Sequence, residues 1–527
     1  TVVRDTSEFN CYNRFRKTYA VKTIGWKLGK EPSLRGIDDD ADLRSESWLS
    51  GADLHPEIQL NVFLVIADKE SQMRDAITSA LRGKQADYIE VHVQERETTR
   101  LSFRARELEE ISRSSDLGGN VRALVRGGWG FASFNDVTRL GEMIDLAIEH
   151  ARSARREKSE LAETPAVVDS VPVDVKKDPR QVSLSDKKKL LDEYNGVLWS
   201  VGDRIQTTRA SYHDSFSRIY FANSRGSYIE QEKLDITASF LAVARDGDNV
   251  QQGHFSTGSS NDFGAVENLH HEVERAARRS ASLLSAKPVK GGEYTVVLDQ
   301  RLAGVFAHEA FGHLSEADHV YENPKLKEVL VLGRTFGRPF LHIFDGAAVS
   351  DDGLRGSYKY DWEGTPAQKT YLIKDGILVG RLHSLETAAK MHERPTGNAR
   401  AISYRYAPIV RMTNTGIEPG NTSFQDMISD IKEGVYAKGS FGGETGMEMF
   451  TFSAEEAYMI RDGQLAELLR GVLLSGNVFE TLQNIEAIGD DLLWQNGGGC
   501  GKGGQSPLPV SMGSPHLRIS RCIVGGR

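Results

Sequence analysis

Two histidines and a glutamate lie within six consecutive residues in the second half of the chain. They are His308, Glu309 and His313, in the segment HEAFGH. Neutral imidazoles are good ligands for Zn²⁺, and a carboxylate beside the ion can take a proton from its bound water. These residue types predict a metal site of the hydrolytic kind. The alternative is a helix with two solvated or core-capping histidines and an exposed glutamate.

The spacing of the two histidines also predicts the backbone that carries them. In the familiar zinc-protease motif HExxH the histidines are at i and i+4, whereas His308 and His313 are at i and i+5. On a regular α-helix, positions i and i+5 lie roughly 140° apart, which is too far to share one ion. A π-bulge fits this spacing and is frequent at functional sites. We expect the backbone to deform at Gly312, directly before the second histidine.

A strand and a helix are predicted to position the motif. Residues 293–299 (EYTVVLD) are rich in β-branched residues and predict a short buried strand. Apolar residues then follow at helical spacing, namely Leu302, Val305, Phe306 and Ala310. One side of this helix therefore faces a core, and its polar residues are free to line a cleft.

A glycine-rich loop near the end of the chain offers a third metal ligand. Cys500 follows three consecutive glycines and precedes three more within four residues. Glycines let a loop approach closely, and two histidines plus one thiolate form a sensible catalytic zinc shell with an open fourth position. A thiolate ligand also favours zinc over iron or manganese. The alternative is an incidental buried thiol.

Composition excludes several classes of protein. The chain has 527 residues, of which 39% are hydrophobic and 26% charged, with a net charge of −9. This acidic balance argues against direct nucleic-acid binding, and no apolar run approaches the roughly 20 residues of a membrane helix. Three cysteines are too few for a disulfide framework and fit a reducing cytoplasm. We expect a cytoplasmic globular protein of two or more domains.

The chain is predicted to contain three regions. Residues 1–72 lack sustained periodicity and hold an acidic cluster, so we expect a disordered tail or a non-native extension. Residues 73–290 predict a mixed α/β N-terminal domain that opens with a helix at Met73. Residues 291–527 predict a strand-rich C-terminal domain that carries the metal site. The predicted fold class is α+β, with a two-domain subunit.

Strong alternation inside residues 73–290 predicts a large antiparallel sheet. The predicted strands include residues 87–94, 98–106, 204–214 and 217–224. Two glycines in a row, Gly118 and Gly119, predict a turn.

Four separated segments of the chain resemble one family, the TldD/PmbA metallopeptidases, and within it the TldD-type catalytic subunit. The segments are HEAFGHLSEAD (308–318), DDGLRGSYKYDWEGTPAQKTYLIKDGILVG (351–380), PTGNARAISYRYAPIVRMTNT (395–415) and GGGCGKGGQSPLPVSMGSPHLRI (497–519). The first is similar to the family pattern HEAxGHxxEGD, with Ala317 where the family usually has glycine. The resemblance extends from about Met73 to the C-terminus.

The resemblance implies a function and a set of site residues. It implies one zinc ion per chain, held by His308, His313 and Cys500, with Glu309 as the catalytic glutamate. It also implies hydrolysis of unfolded or short peptides, in a cavity enclosed together with a TldE/PmbA-type subunit or a second copy of the chain.

Further residues are candidates for supporting roles. Glu316 and Asp318 are candidate acceptors for the free N–H groups of the histidines, or else solvated carboxylates past the helix end. His319 matches no motif position and is predicted to be structural. Residues 361–365 and 395–398 either offer backbone N–H groups to an extended peptide or form plain loops.

Two other functions remain open from the sequence. The chain could be a non-catalytic assembly partner, although its intact His308, Glu309, His313 and Cys500 argue against that. It could also be a regulatory protein, linked to gyrase or a toxin system, with a structural metal. A structural site is usually closed by a fourth protein ligand, and the sequence offers no obvious one.

Overall fold

The computed structural model describes residues 71–154, 158–446 and 448–526. The predicted tail or extension covers residues 1–72, and residues 1–70 of it lie outside the described part of the chain. Helix α1 spans residues 71–81, so the helix predicted at Met73 is present. In the described part of the chain, no helix is long and apolar enough to cross a membrane.

A seven-stranded sheet with long strands forms the N-terminal half. Its strands are β1 (Tyr88–Arg104), β2 (Glu107–Val125), β3 (Gly128–Phe134), β4 (Val168–Val171), β5 (Ile205–Asn223), β6 (Tyr228–Asp246) and β7 (Asn249–Ser259). The strand order is β3-β2-β1-β5-β6-β4, with β7 also paired to β6. All pairs are antiparallel except β4 with β6. The predicted large antiparallel sheet is confirmed.

The predicted strand breaks are wrong. The single strand β1 (Tyr88–Arg104) includes most of residues 87–94 and 98–106, and β5 (Ile205–Asn223) includes most of residues 204–214 and 217–224. Strand β1 continues through the polar residues between the two predicted strands, because it is paired with β2 on one side and with β5 on the other along most of its length.

The turn predicted at Gly118 and Gly119 is also wrong, because both glycines lie inside β2. A Cβ atom at Gly118 would stand 2.3 Å from the ring of Tyr404, and one at Gly119 would stand 2.3 Å from the carbonyl oxygen of His92. Close packing of backbone against neighbouring chain therefore requires glycine here.

Three long helices cover parts of this sheet. They are α2 (Leu140–Ser153), α3 (Leu184–Ser200) and α4 (His270–Leu283). Helix α2 packs on β2 and β3, α3 on β5, and α4 on β6 and β7. Two hydrophobic clusters result, one around α2 and one around α3 and α4. Short 3₁₀ turns occur at Val137–Arg139, Pro179–Gln181 and Phe263–Val266.

The C-terminal half is strand-rich, as predicted. Its strands are β8 (Lys287–Pro288), β9 (Gly292–Leu298), β10 (Ile343–Asp345), β11 (Thr370–Lys374), β12 (Ile377–Leu378), β13 (Ala399–Arg400), β14 (Ile409–Val410), β15 (Asn414–Ile417), β16 (Glu433–Lys438), β17 (Gly443–Gly446), β18 (Met449–Ser453), β19 (Glu456–Arg461), β20 (Gln464–Arg470), β21 (Val472–Asn477), β22 (Ile485–Ile488), β23 (Leu493–Gln495), β24 (Gly499–Lys502), β25 (Gln505–Pro509), β26 (Ser511–Ser514) and β27 (Leu517–Gly526). Its helices are α5 (Gln300–Ala307), α6 (Ala317–Glu322), α7 (Pro324–Val329), α8 (Leu385–Met391), α9 (Phe424–Ile428) and α10 (Val478–Gln483).

Two sheets of this half enclose the helix that carries the histidine motif. The ten-stranded sheet runs β17-β18-β21-β27-β9-β16-β19-β20-β8, with β22 paired to β27, and the six-stranded sheet runs β12-β11-β10-β15-β26-β23. Helix α5 contacts β16 of the first sheet and β15 and β26 of the second. Its Phe306 is buried, with its ring centroid 5.6 Å from that of Phe450. The predicted apolar side of the helix is confirmed, and burial between two sheets fixes the motif in place.

The fold class α+β is confirmed by this arrangement of mixed sheets and helices. The division of the chain at residue 290 stays a prediction.

Candidate metal centre

The helix that carries the motif changes its winding at the first histidine. Helix α5 ends at Ala307, His308–Gly312 form a π-helical turn, and His313–Ser315 form a 3₁₀ turn. The backbone N–H of His313 donates to the carbonyl of His308, which is the i to i+5 bond of a π turn. The distorted helix predicted from the histidine spacing is confirmed.

Gly312 has a different role from the one predicted. Its backbone is ordinary helix, with φ −58° and ψ −54°, so no unusual conformation requires glycine. A Cβ atom at this position would instead stand 2.1 Å from the Sδ atom of Met412. The glycine is therefore needed for close packing beneath the π turn.

The π turn brings the two histidines to one side, and the hairpin β24–β25 brings Cys500 to them. One ligand atom from each of His308, His313 and Cys500 lies within 4.8 Å of the other two. The Sγ atom of Cys500 lies 3.5 Å from Nε2 of His313. The two imidazole rings have centroids 5.2 Å apart and meet nearly edge to face, at 81°. The structure thus brings together all three residues predicted as ligands.

The residues present fit a zinc ion. His308 is completely buried, and neither of its ring nitrogens has a hydrogen-bond partner among the described residues. An unsatisfied buried polar atom costs about 1–3 kcal/mol, and a bond to a metal removes that cost. Two imidazoles and one thiolate are ligands that zinc prefers over harder ions.

The second nitrogen of His313 is held by a carboxylate. Nδ1 of His313 donates to Oε2 of Glu316 at 2.9 Å, and Glu316 is completely buried. The extended backbone of Glu316, with φ −70° and ψ 113°, ends the 3₁₀ turn that begins at His313. The predicted acceptor role of Glu316 is confirmed, and its alternative as a solvated carboxylate is wrong.

Asp318 was predicted to share this role, and that prediction is wrong. Its two carboxylate oxygens accept hydrogen bonds from Nζ of Lys502 at 2.7 and 2.8 Å. Lys502 also donates to the carbonyl of Val410 at 2.9 Å and lies 3.2 Å from Oε2 of Glu316. Lys502 therefore supplies the positive charge that lets Glu316 stay ionised while buried. Lys502 is not among the residues predicted from the sequence, where its signal is its position two residues after Cys500.

A buried arginine holds the hairpin that carries the cysteine. Arg411 has 0% exposure, and its guanidinium donates to the carbonyls of Cys500 at 2.8 Å and Gln505 at 3.1 Å. These bonds join the ends of β24 and β25 to the segment after β14. Arg411 is likewise not among the predicted residues, and its signal in the sequence is an arginine between apolar neighbours in PIVRM.

The charges around the three candidate ligands favour the thiolate form of Cys500. Burial acts to raise the pKa of Cys500, but the imidazoles of His308 and His313 outweigh it and lower that pKa to about 4. Burial acts to raise the pKa of Glu316, and Lys502 and His313 bring it down to about 2. The thiolate form is the form that binds metals.

Glu309 and His313 line an open cleft of about 750 Å³. Oε2 of Glu309 lies 3.9 Å from Nε2 of His313, and burial raises the pKa of Glu309. The cleft is bordered by residues of α6 and α7 on one side and by β17 on the other. His319 also lines it, with Nδ1 3.8 Å from Oε2 of Glu316. A carboxylate, a candidate metal site and an accessible cleft therefore meet at one place.

Residues 361–365 and 395–398 do not line this cleft. Asp361 is buried, and its carboxylate accepts backbone N–H groups of Thr365 and Ala399. These hydrogen bonds hold the two loops together, away from the metal cleft of the single subunit. That the segments offer backbone N–H groups to an extended peptide stays a prediction.

Comparison with known proteins places the chain in a family. Models of the PmbA/TldA metallopeptidase family match three stretches: domain 1 over residues 89–153, the central domain over 177–284 and the C-terminal domain over 291–526. The candidate metal centre lies in the last of these.

Individual proteins agree with this assignment. The chain is 51% identical to a metalloprotease of Synechocystis sp. over 444 residues, which cover 84% of this chain and 95% of that one. It is 30% identical over 420 residues to a zinc metalloprotease TldD homolog of Saccharolobus solfataricus, covering 79% and 91%. The crystal structure of TldE from Thermococcus kodakarensis has the same fold, with a TM-score of 0.68 at 18% identity, covering 87% and 100%. The chain therefore belongs to the TldD/PmbA family of metallopeptidases.

Proposed function

We propose that this protein is a zinc-dependent peptidase that hydrolyses unfolded or short peptides in the cleft lined by Glu309 and His313. One observation carries the proposal. The ligand atoms of His308, His313 and Cys500 converge within 4.8 Å of one another, beside a glutamate that faces an open cleft.

One zinc ion per chain is the proposed cofactor, held by His308, His313 and Cys500. The name of the Saccharolobus solfataricus relative, a zinc metalloprotease homolog, supports this choice of metal. A bound zinc ion would polarise the scissile carbonyl and lower the pKa of a water molecule toward neutrality. The group of candidate ligands contains no fourth His, Cys, Asp or Glu among the described residues. That leaves a position open for water or substrate, which favours a catalytic over a structural metal.

The protein's own residues carry out the proton transfers and hold the histidine ligand in position. Glu309 takes a proton from the attacking water through its carboxylate and returns it to the nitrogen of the leaving amine. Glu316 positions His313, because the bond at Nδ1 fixes which nitrogen carries the proton and leaves Nε2 as the ligand. Lys502 keeps Glu316 ionised.

The assembly and location are part of the same proposal. A TldE/PmbA-type subunit or a second copy of the chain would cover the cleft, which is open in the single subunit. The similarity to the TldE fold supports such a pairing. Neither Cys500 nor Cys522 forms a disulfide in the described part of the chain, and reduced cysteines support a cytoplasmic location. Each subunit would divide near residue 290 into the two predicted domains.

Cleavage of an unstructured peptide by the zinc-loaded protein tests the function. The protein is assayed alone and with a TldE-type partner from the same organism. We expect cleavage that a zinc chelator abolishes and that falls at least about 100-fold in Glu309→Gln, because general-base catalysis contributes about 10²–10⁴ in rate. Glu328→Gln, an exposed residue of the nearby helix α7, is the matched control and should cleave as wild type does.

Two results would overturn the proposal. One is the absence of cleavage in both assemblies when zinc is bound. The other is full activity of Glu309→Gln, which would favour a regulatory role with a structural metal.

A further inference from the structure

A second cavity, of about 640 Å³, lies between the seven-stranded sheet and the C-terminal half. Its lining has no residue in common with that of the metal cleft. Strands β1 and β6 contribute Arg96 and Lys233 to one wall. Tyr358, Trp362 and Arg400 of the C-terminal half also line the cavity. This volume is in the range of small-molecule sites.

Three positive side chains of this cavity form no ion pair with a carboxylate among the described residues. Lys233 forms no ion pair, and its Nζ atom lies 4.2 Å from the ring centre of Tyr358. Arg400 is buried and donates only to main-chain carbonyls, those of Met412 at 2.5 Å and Pro509 at 2.7 Å. The Nε atom of Arg96 is buried without a hydrogen-bond partner in the described part of the chain.

Most other charged groups of the lining are already neutralised. The ion pairs are Arg355 with Asp235 at 2.6 Å, Lys359 with Asp169 at 2.6 Å, Glu232 with Arg218 at 2.7 Å, and Asp352 with Lys176. Asp174 and Asp351 are exposed. Two further carboxylates, those of Asp361 and Asp345, act on Lys233 and Arg400, but burial raises the pKa of both and so disfavours their charged forms. The uncompensated charge in the interior of the cavity is therefore positive.

Such an arrangement is costly unless something binds there. A charge held away from water without an ion-pair partner is destabilising, even after the protein relaxes around it. Burial, together with the nearby charge of Arg400, lowers the pKa of Lys233 to about 7. A bound anion would offset this cost, and the rings of Tyr358 and Trp362 provide apolar surface for the rest of a small molecule.

We propose that this cavity binds a small organic anion, with its carboxylate or phosphate group held by Lys233 and Arg400 and its apolar part against Trp362. Arginine and lysine are the usual partners of both carboxylates and phosphates, so the same two side chains could bind either group. The site is separate from the metal centre, and this inference does not depend on peptidase activity.

Calorimetric titration with three probes tests the proposal on the full chain. The probes are inorganic phosphate, N-acetylphenylalanine and the uncharged N-acetylphenylalanine amide. We expect saturable binding of at least one anion and none of the amide. Tighter binding of phosphate or of N-acetylphenylalanine then shows whether the natural ligand carries a phosphate or a carboxylate group. Lys233→Met should weaken binding at least tenfold, whereas Lys359→Met, which removes a lysine already paired with Asp169, should change it less than twofold.

Thermal unfolding separates this effect from misfolding. Because Lys233→Met removes a half-buried charge that forms no ion pair among the described residues, it should unfold at a temperature at least as high as wild type. It should also lose the upward shift that the anion gives wild type. The proposal is wrong if wild type binds neither anion, or if anions bind Lys233→Met as tightly as wild type, which would place them elsewhere, for example at the zinc ion.

Discussion

Nδ1 of His313 lies 2.9 Å from Oε2 of Glu316, a carboxylate that is completely buried only three residues further along the chain. This bond turns the other ring nitrogen of His313 toward Cys500, whose Sγ atom is 3.5 Å away. Glu316 is thus a positioning residue for the proposed zinc site, and its charge is balanced by Lys502.

Glu316→Gln should weaken zinc binding about 10–100-fold, since loss of a carboxylate behind a metal-binding histidine has that effect in other sites. The measurement is competition for zinc with a chromophoric chelator. Glu322→Gln is the control, because Glu322 is an exposed glutamate at the end of α6 and forms none of the contacts described for Glu316. Equal zinc affinity for Glu316→Gln and wild type would show that the bond to His313 does not support the site.

Gly312→Ala should destabilise the protein by about 1–3 kcal/mol, the usual cost of overpacking a tight core. The new Cβ atom would stand 2.1 Å from Sδ of Met412, so one of the two must move. Shortening that neighbour in the double variant Gly312→Ala, Met412→Val should recover part of the loss. Urea unfolding measures the free energy of unfolding.

The control for this prediction is Gly196→Ala, in the interior of α3, where an added Cβ atom meets no atom within 4 Å. It should stabilise the protein by about 0.5–1 kcal/mol, because alanine is the better helix former. A loss of stability in Gly196→Ala similar to that of Gly312→Ala would rule out close packing as the reason for Gly312.

Arg411→Met should destabilise the protein by roughly 3 kcal/mol. The substitution leaves the carbonyls of Cys500 and Gln505 without their buried donor, and each unsatisfied group costs about 1–3 kcal/mol. Denaturant unfolding of the metal-free protein measures the effect without a contribution from zinc. Arg405→Met removes an exposed arginine paired with Asp116 and should change stability by less than about 1 kcal/mol. Similar stabilities of the two variants would contradict the role given to Arg411.

The π turn could be predicted from the sequence because two histidines at i and i+5 can share an ion only if the helix is underwound there. The buried stripe of α5 was predictable for a similar reason, since its apolar residues repeat at helical spacing. Both features are local, and each depends on the distance between residues along the chain.

Other features depend on residues far apart in the chain. Cys500 and His313 are separated by 187 positions, and only the chemistry of metal ligands and the family resemblance linked them. Gly118 resembles a turn residue in the sequence, but glycine is required there because the ring of Tyr404 packs against its backbone. The sequence around Arg411 and Lys502 marks both residues as unusual, but their partners lie far along the chain, so their roles could not be predicted from it.

The zinc content of purified wild type, Cys500→Ser and Cys522→Ser, measured by elemental analysis, tests the central claim most directly. Cys522 is the matched control, because its thiol is also buried but lies on β27, outside the group of candidate ligands. We predict about one zinc ion per chain in wild type and in Cys522→Ser, and a large loss in Cys500→Ser. Wild-type protein without zinc, or Cys500→Ser with full zinc content, would contradict the proposed centre.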